Sequence, residues 1–187
     1  MEMLQGIFSA FGLSASAGLN AYIPLLVTAL LARFTHLIML NKPWDTLTSW
    51  WIIGLLVILV LIEFFVDKVP IVNHINDAIQ TFIRPTAGAI LFAASTNTVS
   101  DIHPILALGL GLLIAGSVHV FKSAAIRPAL TATTGGVANV PVSVVEDATS
   151  TTLSVLSIVV PIAVASLTVL FVTWAVWQFI IRPKITY

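Results

Sequence analysis

Apolar and polar positions fall in long blocks along the 187 residues, with few short amphipathic stretches between them. A membrane-crossing helix needs about 20 mainly apolar residues, and several blocks meet or approach that length. The first block, Gly6 to Ala32, is interrupted by the small, polar run Ser14-Ala15-Ser16-Ala17-Gly18-Leu19-Asn20, which predicts a broken or closely packed helix. Arg33 to Ser49 reads as a polar loop around Lys42-Pro43-Trp44-Asp45. Trp50 and Trp51 then open a second span to about Val66, as residues of an aromatic belt do. Beyond Asp67-Lys68-Val69-Pro70, residues 71–84 predict a short amphipathic helix that lies in the interface or re-enters. Thr86 to Ala94 is too short to cross alone, so it is expected to extend that helix or tilt at Pro85. Ile105 to Phe121 is a Gly-rich span suited to tight helix packing.

Lys122 to Asn139 reads as a helix-breaking region, because it holds Arg127-Pro128 and Thr133-Thr134-Gly135-Gly136. Irregular backbone survives at membrane depth only where protein or a water-filled cavity satisfies it. Pro141 is expected to start a helix with Glu146 and Asp147 on its first turns, where the helix dipole favours negative charge. Leu153 to Ile181 is apolar again, with a kink expected at Pro161 and with Trp174, Trp177, Arg182 and Lys184 at its exit. The pattern predicts an all-α, polytopic transmembrane helix bundle of four to six crossings with broken or re-entrant helices, in one domain over residues 1–187. Val69-Pro70 followed by Asp77-Ala78 and Thr81 is echoed by Val140-Pro141 followed by Asp147-Ala148 and Thr151. The echo raises two weakly similar halves, about 1–98 and 99–187, of the kind transporters use.

Composition strengthens the membrane expectation: 58% of residues are hydrophobic and 9% charged, against roughly 45–50% and about 25% in a soluble domain. Eight Lys and Arg balance eight Asp and Glu, which argues against a nucleic-acid partner. The absence of cysteine excludes disulfides, thiol catalysis and Cys-ligated metals, and no cofactor motif is present. Met1 to Gln5 lack the basic start of a signal peptide, so this segment is expected to stay in the protein. An integral position, in a cytoplasmic (inner) membrane and in contact with lipid, follows as the expectation.

The charges that remain are clustered. Glu63, Asp67, Lys68, Asp77 and Arg84 form one group, and Lys122, Arg127, Glu146 and Asp147 another. An ionisable group at membrane depth costs about 2.5–3.5 kcal/mol on insertion scales, so such groups face an interior and pair. Glu63 and Asp67 are spaced i,i+4; Asp77, Thr81 and Arg84 share a helical face, and His119, Ser123 and Arg127 another. Arg84 and Arg127 are each expected to pair with acids of the opposite cluster. Pro24 would leave the Asn20 carbonyl without its helical donor, which makes either a structural kink satisfied by a neighbouring helix or an acceptor offered to a ligand. Gly135-Gly136 could cradle an anion with backbone N–H groups, with Asn139 close behind in sequence. Five acids face four bases in these stretches, so one carboxyl, with Asp147 as the candidate, is expected to hold a proton near neutral pH.

At these motifs the chain resembles the membrane proteins called domain of unknown function 4126. The resemblance runs from Gly18-Leu19-Asn20-Ala21-Tyr22-Ile23-Pro24 through Glu63-Phe64, Asp67-Lys68, Pro70, Asp77, Thr81-Phe82 and Arg84-Pro85. It continues in His119, Lys122, Thr134-Gly135-Gly136, Asn139, Ser143 and Glu146-Asp147. It implies a polytopic membrane fold and points to the same charged positions, without a substrate.

A transporter or permease for a small polar or anionic solute, coupled to protons, explains the most features. Asn20, Glu63, Asp67, Lys68, Asp77, Arg84, His119, Lys122, Arg127, Gly135, Gly136, Asn139, Glu146 and Asp147 are its candidate solute- or ion-binding residues. A non-catalytic membrane scaffold whose charge pairs fix helix packing is the alternative. A lipid-phosphate enzyme finds less support, since the Lys122 to Arg127-Pro128 spacing lacks the pattern of lipid phosphatases and no His-Glu-x-x-His or Gly-x-Ser-x-Gly occurs. A homodimer is expected because so short a chain encloses little volume alone.

Overall fold

The computed structural model describes residues 2–67, 70–96 and 102–178, apart from the side chains of residues 2–5, 70–75, 77, 161–166 and 168. These residues are all-α, with no strand among them. Helix α1 (Glu2–Leu19) lies at the centre and packs against α4 (Pro70–Thr96), α5 (Pro104–Phe121), α7 (Asn139–Val159) and α8 (Pro161–Val176). Helix α2 (Tyr22–Phe34) packs on α3 (Trp50–Val66) and α7.

Small residues let the central helices approach. A Cβ on Gly18 would stand 2.6 Å from the Ala115 carbonyl oxygen of α5, and one on Gly88 would stand 2.8 Å from that of Gly111. Ser14 uses the same closeness to donate to the Gly88 carbonyl at 2.9 Å. Between α1 and α7 the contact is made by hydroxyls: Ser9 donates to the Ser157 carbonyl at 2.7 Å, and Ser16 to that of Ser150 at 2.8 Å. The expected interruption in the first block is therefore a tight crossing up to Leu19. The true break comes at Asn20.

That break corrects the expectation for Asn20 and Pro24. Helix α1 has ended before Asn20, and Pro24 falls in the first turn of α2, where no intrahelical N–H is lost. The Asn20 side chain instead caps α2, its Oδ1 accepting from the Tyr22 and Ile23 N–H groups at 3.0 and 3.1 Å.

Helix α3 matches its expected limits and is capped by Ser49. Helix α4 runs unbroken through Pro85 and absorbs the short apolar stretch after it. The helix-breaking region expected over Lys122 to Asn139 breaks only at its glycine pair. Residues Lys122–Ile126 form a π turn that carries the chain straight into α6 (Arg127–Thr134), and only Gly135 and Gly136, at φ of 63° and 90°, end it. Glu146 and Asp147 lie about two turns inside α7, too deep for its N-terminal dipole to explain them. At Pro161 the chain breaks and starts α8, where a kink was expected.

Polarity is arranged inside out. Trp51 is 90% exposed, Phe82 78%, Ile105 71% and Leu170 66%, whereas Glu63, Arg84, His119 and Lys122 are buried at 0–2%. Two helical stretches, Pro104–Thr134 and Asn139–Val159, are long and apolar enough to cross a membrane, and Gly6–Leu19, Tyr22–Phe34 and Trp50–Val66 are shorter apolar helices.

Candidate functional site

The end of α3 sets up the polar core. Glu63 and Asp67 stand one turn apart on the same helical face and both point inward. Each anchors a different group of partners.

Around Glu63, its Oε1 accepts from Arg84 Nη2 of α4 at 3.0 Å. Arg84 Nη1 is 3.2 Å from Nδ1 of His119 on α5, and His119 Nε2 is 3.1 Å from the Thr81 hydroxyl. A guanidinium can only donate, so Nδ1 accepts and the ring carries its proton on Nε2, which donates to Thr81. Three buried polar atoms of this group have no protein partner: Glu63 Oε2, Arg84 Nε and the amide oxygen of Gln80, one turn before Arg84.

Around Asp67 and Glu146, partners are abundant. Lys122 Nζ sits 2.6 Å from Glu146 Oε2 and donates to the Leu19 carbonyl at the end of α1 at 3.1 Å. Arg127 Nη2 lies 3.4 Å from the same Glu146 oxygen and 3.5 Å from Asp67 Oδ2. Ser143 donates to Asp67 Oδ2 at 3.3 Å and Asn76 to Asp67 Oδ1 at 2.7 Å. Five helices and the π turn meet there.

The π turn explains how two cations reach one oxygen. In an α-helix, residues five apart point about 140° away from each other. A π turn closes its hydrogen bond over five residues, here from the Arg127 N–H to the Lys122 carbonyl, and so brings both side chains to the α7 side. At the helix break, Asn20 Nδ2 donates to Asp147 Oδ1 at 3.0 Å.

Of the sequence candidates, Glu63, Asp67, Arg84, His119, Lys122, Arg127 and Glu146 are buried, and Asn20 with Asp147 adjoins them. Arg127 reaches the opposite cluster through Asp67, as expected, but Arg84 pairs with Glu63 of its own cluster. The reason is proximity: Glu63 at the end of α3 faces the middle of α4. Gly135 and Gly136 lie in the turn between α6 and α7, Gly135 exposed, and Asn139 donates to Thr131 Oγ1 at 3.2 Å, so these three are not brought to the charges. Lys68 and the side chain of Asp77 lie outside the described residues. Sequence reasoning passed over Gln80, Asn76 and the role of Ser143. Gln80 had a usable signal, an amide four residues before an arginine and so on the same helical face.

Residues 7–180 match a family described only as a domain of unknown function (DUF4126). The chain belongs to that family. The match takes in every charged residue of the polar core. No match was found among curated proteins or among solved structures.

Proposed function

We propose that this DUF4126 chain is an integral membrane protein of four to six crossings, placed in an inner membrane, that moves a small polar solute across the bilayer. The observation that carries the proposal is the burial of three bases and three acids inside a helix bundle whose outer face is apolar. Each such charge costs about 2.5–3.5 kcal/mol on insertion scales. Replacing a buried ion pair by apolar residues is often neutral or stabilising by about 1–4 kcal/mol, so stability alone is a weak reason to keep them. The broken α1–α2 connection beside Lys122 and Asp147 resembles the discontinuous helices that form transporter sites. Trp50, Trp51, Trp174 and Trp177 are exposed, as residues at a bilayer interface are.

Within this proposal Glu63, Arg84 and His119 face the solute, and a proton on Asp147 couples to its movement. A second role, packing clamp, belongs to the saturated group of Asp67, Lys122, Arg127 and Glu146, whose contacts tie helices together. The test is solute-driven volume change of proteoliposomes, followed by light scattering with a pH-sensitive dye inside. The parent should admit polar solutes faster than empty liposomes, and Glu63→Gln should lower the rate at least tenfold. Asp147→Asn should lose dependence on the proton gradient. Uptake no faster than in empty liposomes rejects transport; uptake indifferent to the gradient in the parent rejects the coupling.

A further inference from the structure

The three unpartnered atoms beside Glu63 carry chemical information about what the group binds. Glu63 and Gln80 are each 2% exposed and Arg84 0%, so bulk water does not satisfy them. Glu63 Oε2 and Gln80 Oε1 are acceptors, and Arg84 Nε–H is a donor. Gln80 and Arg84 share a face of α4, Arg84 is bonded to Glu63, and Tyr22 of α2 lies against Gln80 within electrostatic reach of both. The group is therefore one locus between α2, α3 and α4. A buried polar atom left without a partner costs about 1–3 kcal/mol, so each of the three calls for an explanation.

We propose that this locus binds a small, uncharged guest that both donates and accepts hydrogen bonds, in the manner of a primary amide, a polyol or water. The guest offers donors to Glu63 Oε2 and Gln80 Oε1 and takes the Arg84 Nε–H proton into an acceptor. A simple anion has no donor for the two oxygens and would face the Glu63 carboxylate. A metal cation has no acceptor for Arg84 and would face its guanidinium. An ammonium fails in the same way, having donors only. The Arg84 charge is already matched by Glu63, and His119 holds the second guanidinium nitrogen in place, so the pair presents orientation and little net charge. The solute expected from the sequence as polar or anionic is thereby narrowed to a neutral one. This narrowing rests on the transport proposal only for its role in permeation, since binding can be measured apart from it.

Ligand-observed saturation-transfer NMR on the full chain in detergent separates the two. The probes are acetamide and glycerol, with acetate and methylammonium as charged counterparts of similar size. Acetamide should give a signal that falls at least fivefold in Gln80→Met, a variant that keeps the side-chain length and removes the acceptor. Gln80→Asn, which keeps the amide and withdraws it by one methylene, should fall between the parent and Gln80→Met, and it decides the matter if Gln80→Met does not fold. Acetate and methylammonium signals should be weak and equal in all three proteins. Acetamide binding that is absent, or equal in parent and variants, overturns the inference, as does an acetate or methylammonium signal that Gln80→Met alone removes. Acetamide binding at Gln80 in a protein that admits no solute to liposomes would keep this inference and sink the transport proposal instead.

Discussion

Glu63 and Asp67 occupy the same face of α3 one turn apart, yet their surroundings differ. Both oxygens of Asp67 are engaged, by Asn76 on one side and by Ser143 and Arg127 on the other. Glu63 spends one oxygen on Arg84, and its second has no protein partner. A buried network that is satisfied throughout rigidifies and specifies packing, whereas one left partly unsatisfied carries the cost of its unpaired groups. On the proposal above, the α7-facing group serves architecture and the α4-facing group, the more deeply buried of the two, serves binding. Helix α3 serves both because i,i+4 spacing puts two carboxylates on one side with different neighbours.

The largest effect that could break the contrast is at Glu146. Glu146→Leu would strand Lys122 and leave Arg127 on Asp67, and removing one partner of a buried charge group costs about 3–5 kcal/mol. Denaturant unfolding in detergent should show that loss, and adding Lys122→Met in the same chain should recover part of it because one stranded charge disappears. An unfolding midpoint equal to the parent's would mean the clamp holds nothing.

Glu63→Gln leaves the Arg84 guanidinium without its counter-charge but keeps the hydrogen bond through the amide oxygen, so it should cost less, about 1.5–3 kcal/mol. Set beside the tenfold loss of uptake expected for the same variant, this would sharpen the division. A stability loss as large as that of Glu146→Leu, measured by the same unfolding curve, would erase it.

The cap on α2 should contribute the smallest share, about 1 kcal/mol of what Asn20→Ala loses, the bond to Asp147 being lost with it. Hydrogen exchange should rise in the first turn of α2 and nowhere in α3. Unchanged exchange at Tyr22 and Ile23 would show that the cap contributes nothing.

Much of this was legible in the chain, and the failures share a cause. The limits of α3 followed from an uninterrupted apolar run opened by Trp50 and Trp51 and closed by a charged end. The burial of Glu63, Arg84, Lys122 and Glu146 followed from the cost of placing charge among apolar residues. The Arg127-Pro128 stretch misled because proline removes an N–H without ending a helix when it falls in a first turn, as it does in α6. Nothing in the composition of Lys-Ser-Ala-Ala-Ile encodes a π turn, since its register is set by the helices it faces. Gln80 was overlooked because one amide carries no charge, and charge was the signal followed. The serines of α1 and α7 were readable as a stripe, but their partners are carbonyls on another helix, which no local pattern reveals.

The π turn also sets the angle at which α6 leaves α5. Everything from Arg127 to the Gly135-Gly136 bend hangs from its far end, while Lys122 is fixed at its near end by the Leu19 carbonyl. Rewinding its five residues to α geometry would swivel α6 by roughly 100° and swing Arg127 off Glu146, with Lys122 staying seated. Only one of the two cations on that carboxylate would be released, and α1, α4 and α5 would not have to separate. The glycines of the bend, already at positive φ, offer the slack that such a swivel requires.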